Sequence, residues 1–247
     1  MFLERARKIR GFLSEVAKNP QVSIDLMCAG AADNDPFYDR VTREFYRDAT
    51  RRHPRFPLVR HIEYGFAVCH LGDDFDAYLG RIDASARRNY KKSCRLGYTF
   101  GPVDYNAHLD DITEILRSAD VRQGRPMPAA FFDGKAEAVR NPPSRSPLHD
   151  YPYFGITREG KLWAFASCLV AGELCSIQTI YGHSRHQPDG IVPMLIISMA
   201  GHMIENHKNV RYYAYGGYYG ASETMQRFKK KFHFLPHRVA WKLGARS

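Results

Sequence analysis

No run of about 18 apolar residues occurs, the length a membrane-spanning helix needs, so no membrane span is expected. The opening residues, Met1 to Arg10, lack the apolar stretch of a secretory signal. The cysteines Cys28, Cys69, Cys94, Cys168 and Cys175 are scattered, with no Cys-x-x-Cys. That argues against a disulfide framework or a zinc ribbon, and for reduced, mostly buried thiols in a cytoplasmic protein. Histidine is frequent, but no pair has a familiar zinc spacing; His202 and His207 stand five apart on an expected helix. Neither a metal nor a redox cofactor is expected. There is no internal repeat and no low-complexity tract. Acidic residues are scarce: 26 Asp and Glu face 36 Lys and Arg, for a net charge of +10.

What is present is enough for one large domain, or one domain with an N-terminal extension: 247 residues, 44% of them hydrophobic. The positive charge is uneven. Residues 206–247 hold nine Lys and Arg against one Glu, and residues 81–95 hold six against one Asp. Nucleic acid, a phosphate-rich cofactor or a membrane surface are the usual partners of such patches.

The stretch from Val210 to Phe234 concentrates the chemistry. It reads as a strand, a glycine turn (Gly216, Gly217, Gly220) and a basic helix capped by Ser222. At strand spacing Tyr213 and Tyr215 share one face. On the helix Met225, Phe228 and Phe232 form an apolar stripe, with Arg227, Lys230 and Lys231 opposite it. Lys229 falls at the edge of the stripe, beside the glycine turn, which suits a site rather than a solvated surface.

Taken in order, Phe2 to Val16 is amphipathic at helical spacing and Asn19-Pro20 ends it. Val22 to Cys28 reads as a short strand. Pro36 opens a helix to about Arg52, capped from Asp33 to Asp35. Pro54 and Pro57 mark a boundary between an N-terminal extension, 1–60, and a main domain, 61–247. Glu63 to Leu71 is a strand. Asp74 and then Asp83 or Ser85 cap two helices, the second ending at Gly97. Asp110 to Ser118 is helical, and 133–150 is a loop open to motion. Three strands follow, Tyr153–Thr157, Leu162–Val170 and Leu174–Tyr181, joined by tight hairpins. Gln187-Pro-Asp-Gly190 turns into a nearly all-apolar helix, Ile191 to Asn206. The Tyr strand, the basic helix and a last strand, Arg238–Leu243, complete the chain.

This order resembles the acyltransferase fold of the GNAT superfamily. The resemblance implies an α/β fold with a mixed, mostly antiparallel central sheet flanked by helices. Gln187-Pro188-Asp189-Gly190-Ile191-Val192 matches the family loop that cradles the coenzyme A pyrophosphate at a helix N-terminus. Here Val192 crowds its last position, Asp189 adds negative charge, and Pro193 removes an N–H.

Three stretches are similar instead to the branch that takes its acyl group from aminoacyl-tRNA. That branch includes FemABX-type peptidyl transferases and the arginyl- and leucyl/phenylalanyl-tRNA–protein transferases. Arg87-Arg88-Asn89-Tyr90-Lys91-Lys92 resembles the basic helix before the FemAB-like core. Arg122-Gln123-Gly124-Arg125-Pro126-Met127 resembles the acceptor-side Arg–Gly–Pro stretch. Gly217-Tyr218-Tyr219, eight residues and Phe228-Lys229 resemble the Gly-Tyr-Tyr and aromatic–Lys pair of arginyl transferases. The cysteine cluster of arginyl transferases, the Asp-x-Gln dyad of leucyl/phenylalanyl transferases and the coiled-coil arm of cell-wall FemABX enzymes are missing. That pattern resembles compact members that append an amino acid to a peptide antibiotic precursor.

The resemblance implies an aminoacyl-tRNA-dependent aminoacyltransferase forming an amide on a small peptide or amine acceptor, free or tethered to a carrier protein. Aminoacyl-tRNA would be a co-substrate, with no bound cofactor. Lys229, Tyr219 and Tyr215 are the catalytic candidates. Arg122, Arg125, Gln178 and Tyr213 are the substrate-binding candidates. Arg87, Arg88, Lys91, Lys92, Arg227, Lys230 and Lys231 are the candidates for tRNA phosphates. The rival expectation is an acyl-CoA N-acyltransferase using acetyl-CoA. A third is a GNAT-like module that binds RNA without turnover.

Overall fold

The computed structural model describes residues 11, 14, 16–32, 34–53, 56–60, 62–122 and 125–244. Most of the expected helix from Phe2, with Asp33, Pro54, Gln123 and Gly124, lies outside the described residues.

Helix starts follow the capping residues. After β1 (Gln21–Asp25) and a short α1 (Cys28–Ala32), α2 (Pro36–Thr50) begins at Asp35, whose carboxylate accepts the Phe37 N–H at 2.9 Å. The chain then makes β2 (Arg52–His53), β3 (Phe56–Arg60) and β4 (Tyr64–His70). Asp74 caps α3 (Phe75–Arg81). Asp83, not Ser85, caps α4 (Ala84–Arg95), accepting the Ser85 N–H at 2.7 Å. Next come β5 (Thr99–Pro102), α5 (Leu109–Arg117), a small hairpin of β6 (Val121–Arg122) and β7 (Arg125–Pro126), α6 (Ala130–Asp133) and β8 (His149–Asp150). The segment between α6 and β8 is fastened by side chains. Asn106 bonds both backbone groups of Val139, and the Tyr38 hydroxyl donates to Pro142 O at 2.6 Å.

Two tight turns, at Glu159-Gly160 and Gly172-Glu173, join β9 (Tyr153–Arg158), β10 (Lys161–Ala171) and β11 (Leu174–Gly182). A 3₁₀ turn (Ser184–Asp189) leads into α7 (Ile191–Asn206); β12 (Tyr212–Gly217), α8 (Glu223–Lys231) and β13 (Leu235–Lys242) follow. These strands make one mixed sheet in the order β1-β13-β4-β12-β11-β10-β9-β5, with β8 beside β10. The β1–β13 and β11–β12 pairs are parallel and the rest antiparallel.

Alternation along the strands builds two cores. On β4, Phe66 and Val68 face α2 and Trp241, while Ala67 and Cys69 face α7. Helix α7 is buried almost all round, as its apolar composition requires: Leu195, Ile196, Ile197 and Met199 have no exposure. No helix among the described residues is long and apolar enough to cross a membrane.

Candidate functional site

The sheet is open at one place. Strands β11 and β12 pair in parallel only from Leu174–Ser176 to Tyr212–Ala214, then separate. Both strands are irregular there. In β11, Ser167 of β10 faces Thr179 while Cys168 faces Ile177, so Gln178 is the extra residue of a β-bulge and stands outside the ladder. In β12 the register against β4 shifts between Ala214 and Gly217, and Gly216 adopts φ +55°. A cavity of about 640 Å³ fills the gap, within the usual range for small-molecule sites. One wall is Gln178 to Gly182 of β11. The opposite wall is Tyr215 with Met225 and Phe228 of α8. Val192 and Pro193 close one end, and Arg122, Pro126 and Met127 of the hairpin region close another.

Lys229 is 5% exposed although it belongs to a helix of cations. Its Nζ donates to Gly217 O at 2.6 Å and lies 5.0 Å from the centre of the Tyr215 ring. Nζ would sit 4.0 Å from a Cβ on Gly216, an ordinary contact, so it is the left-handed backbone at φ +55° that calls for glycine there. Burial lowers its pKa to about 8. Lys229 adjoins the cavity through Tyr215 and Phe228 without lining it.

Two expected tyrosines are elsewhere. Tyr213 shares the face of Tyr215, as its spacing requires, but lies under α7 with no exposure; its hydroxyl donates to Ile196 O at 3.3 Å. It is a core residue, not a substrate contact, because β11 and β12 are still paired at its level. Tyr219 lies flat on Gly65, where any Cβ would come within 2.1 Å of the ring, and its hydroxyl donates to Asn19 at 3.1 Å. It braces the glycine turn against β4 outside the cavity.

Arg122 lines the cavity and is heavily committed. Its guanidinium donates to Gly182 O at 2.7 Å, Ile115 O at 2.6 Å and Ser118 Oγ at 3.0 Å, and it lies over the Tyr181 ring. Among the described residues its Nε–H is buried without a partner. Desolvation lowers its pKa. The Arg125 backbone is in β7; its side chain lies outside the described residues.

The basic helices meet: the Asp83 N–H at the start of α4 donates to Lys231 O at the end of α8, at 2.8 Å. The Asp83 carboxyl is held below its ordinary pKa, first by hydrogen bonds from Ser85, then by Lys231 and Arg88. Arg88, Lys91, Arg227, Lys230 and Lys231 are exposed there, with Arg227 3.5 Å from Glu223. Arg87 departs from the expectation. Its guanidinium bonds the carbonyls of Leu79 and Ile82 at 2.8 and 2.5 Å, so it caps the end of α3 instead of facing a phosphate. Lys92 is also turned inward, donating to Pro188 O at 2.8 Å.

No family model and no curated sequence matches the chain. Solved structures do. FemX aligns with a TM-score of 0.50 at 10% identity, over 67% of this chain and 57% of its own. The fold is that of the GNAT-type acyltransferases. A DUF2156 domain from Agrobacterium fabrum, assigned to the C-terminus of a lysylphosphatidylglycerol synthetase, aligns at 17% identity and TM-score 0.47, over 70% of this chain and 57% of that one. A GCN5-related N-acetyltransferase from Kribbella flavida aligns at 12% identity and TM-score 0.36, over 66% and 51%. The chain thus spans a little over half the length of these proteins.

The GNAT-type fold raises the question of coenzyme A, and the loop before α7 does not fit its pyrophosphate. Gly190 has φ +87°, and a Cβ there would lie 2.6 Å from the Asn89 carbonyl oxygen of α4. Ser93 Oγ donates to Asp189 O at 2.7 Å, and Lys92 covers Pro188. The Asp189 carboxylate, lowered in pKa first by its hydrogen bond from Tyr98, brings negative charge to the loop. Helix α4 therefore occupies the side of the loop that an anion would need.

Sequence reasoning missed two groups. Met225 and Phe228 read as core stripe, yet they wall the cavity. His183 and His186, three apart in the 3₁₀ turn, gather with Trp163, Tyr98 and Glu114: the His186 ring centre is 3.9 Å from that of Trp163, and its Nδ1 is 2.7 Å from the Tyr98 hydroxyl. The His-x-x-His spacing was the available signal.

Proposed function

We propose that the chain is an aminoacyl-tRNA-dependent aminoacyltransferase that makes an amide on a small peptide or amine acceptor. Peptide-antibiotic assembly, with the acceptor free or carried by a protein, is the setting proposed. Residues 61–247 would be the acyltransferase domain and 1–60 an extension packed on it. One observation carries the reading: α8 presents Met225 and Phe228 to an open cleft and Arg227, Lys230 and Lys231 to solvent. A polyanion held outside would put its reactive end inside.

In this reading the acceptor amine attacks the ester carbonyl carbon within the cleft. The carbonyl oxygen becomes an oxyanion, and the bulge that sets Gln178 outside the ladder is where a backbone donor to it would be sought. Collapse forms the C–N bond and breaks the C–O bond to ribose. The amine loses one proton and the ribose hydroxyl gains one. Lys229, with a pKa of about 8, has both protonation states accessible near neutral pH and suits either transfer or charge stabilisation beside Tyr215. The ester is already activated, so positioning supplies much of the rate. Arg122 and Arg125 would stand on the acceptor side.

The test is retention of label on acid-precipitable tRNA. Purified protein is incubated with charged tRNAs, one labelled amino acid at a time, with and without a peptide-amine extract. Protein-dependent loss from a tRNA into an amide product supports the reading. Consumption of acetyl-CoA with every tRNA untouched overturns it.

A further inference from the structure

The cleft carries a charge pattern that bears on which aminoacyl group it accepts. Among the described residues, no carboxylate lines it, and Arg122 is its one charged lining side chain. Lys229 stands behind Tyr215. The potential inside is therefore positive from two directions. Much of the lining is apolar: Met225 and Phe228 of α8 face Ile180 of β11, with Val192 at one end, beside the polar Gln178, Thr179 and Gln187. Met225 is unbranched and adaptable, so this wall fits several apolar shapes.

Direction of entry links the two features. The exposed cations of α8, Arg227, Lys230 and Lys231, share that helix with Met225 and Phe228. A chain bound on the outer face reaches the cleft past these two side chains first. The group at its end is then seated on apolar surface.

Resting on the donor reading above, we infer that the cleft selects aminoacyl groups with apolar side chains and rejects cationic ones. A lysyl or arginyl side chain entering here loses water, finds no carboxylate and meets two like charges. The α-amino group is common to every donor and cancels in the comparison. A glutamyl or aspartyl side chain also loses water, and the Arg122 guanidinium it would meet is already committed to Gly182 O, Ile115 O and Ser118 Oγ.

Stable 3′-aminoacylamino-3′-deoxyadenosine analogues test this without knowledge of the acceptor. Dissociation constants of the full chain are measured for the phenylalanyl, leucyl, methionyl, lysyl, arginyl and glutamyl forms. The apolar forms are expected to bind about tenfold or more tightly than the charged ones, the scale on which pocket complementarity discriminates. Met225→Glu should narrow the gap between the leucyl and lysyl forms. Equal binding, a preference for the lysyl, arginyl or glutamyl form, or no binding by any analogue overturns the inference. The labelled-tRNA experiment is scored separately. Loss of a cationic or acidic amino acid from its tRNA sinks this inference and leaves the donor reading standing, whereas loss from none sinks the donor reading.

Discussion

Two units of this chain share one pattern, a strand, a glycine with positive φ and a helix, and they end in opposite states. After β11, Gly190 at φ +87° leads into α7, which is apolar and buried. After β12, Gly216 at φ +55° and Gly220 at φ +86° lead into α8, which is basic and half exposed. The first turn is plugged by Asn89, Lys92 and Ser93 of α4. The second opens on a cleft with a buried lysine at its edge. Glycine permits a turn, but what packs against it decides whether the turn can hold a ligand.

Replacing the two matched glycines sharpens the contrast most. Gly190→Ala forces a left-handed backbone and pushes a Cβ into the Asn89 backbone, so a loss of about 3 kcal/mol or more is expected. Gly220→Ala has the same backbone strain with nothing within 4 Å of the new atom, so only about 1–2 kcal/mol is expected. Denaturant unfolding of both variants measures the difference. Equal losses would mean that α4 does not press on the first turn.

Lys229→Met comes next. Aminoacyl transfer is expected to fall on the order of 100-fold, as when a proton donor or oxyanion donor is removed. The same variant has a pH signature. Because the folded pKa, about 8, lies below the ordinary lysine value, the unfolded chain binds more protons between the two. Keeping Lys229 charged in the fold is costly below pH 8, and that cost is relieved as pH rises toward 10.5. Relative to Lys229→Met, the native chain should therefore gain stability across that window. A flat difference in unfolding midpoint would place the ammonium in water.

Within α4, Arg87→Ala is expected to cost about 1–2 kcal/mol through lost bonds to carbonyls, with no change in the salt dependence of tRNA binding. Arg88→Ala and Lys91→Ala should do the reverse. Stability stays within about 0.5 kcal/mol, while each lowers the slope of log affinity against log salt by about one. Thermal melts and a salt titration separate them.

These pairs show where the sequence was legible. The caps at Asp35, Asp83 and Ser222 and the two hairpins could be read because capping and turn chemistry are local. The helical wheel placed Lys229 apart from its neighbours for the same reason. Tyr213 could not be told from Tyr215, since both share a face and only the end of β11–β12 pairing separates them. Arg87 could not be told from Arg88, because the carbonyls it binds belong to the preceding helix. Met225 and Phe228 looked like any core stripe; the cleft they line exists through the parting of two strands, a long-range fact.

The most direct test of the central claim is to map the acceptor end of tRNA on the protein. A tRNA ending in 3′-aminoacylamino-adenosine with a photoreactive aryl side chain would be crosslinked to the full chain and the adducts located by mass spectrometry. The account predicts adducts on 178–182, Tyr215, Met225 and Phe228, suppressed by raising salt. Adducts confined to the outer faces of α4 and α8, with none in the cleft, would contradict it.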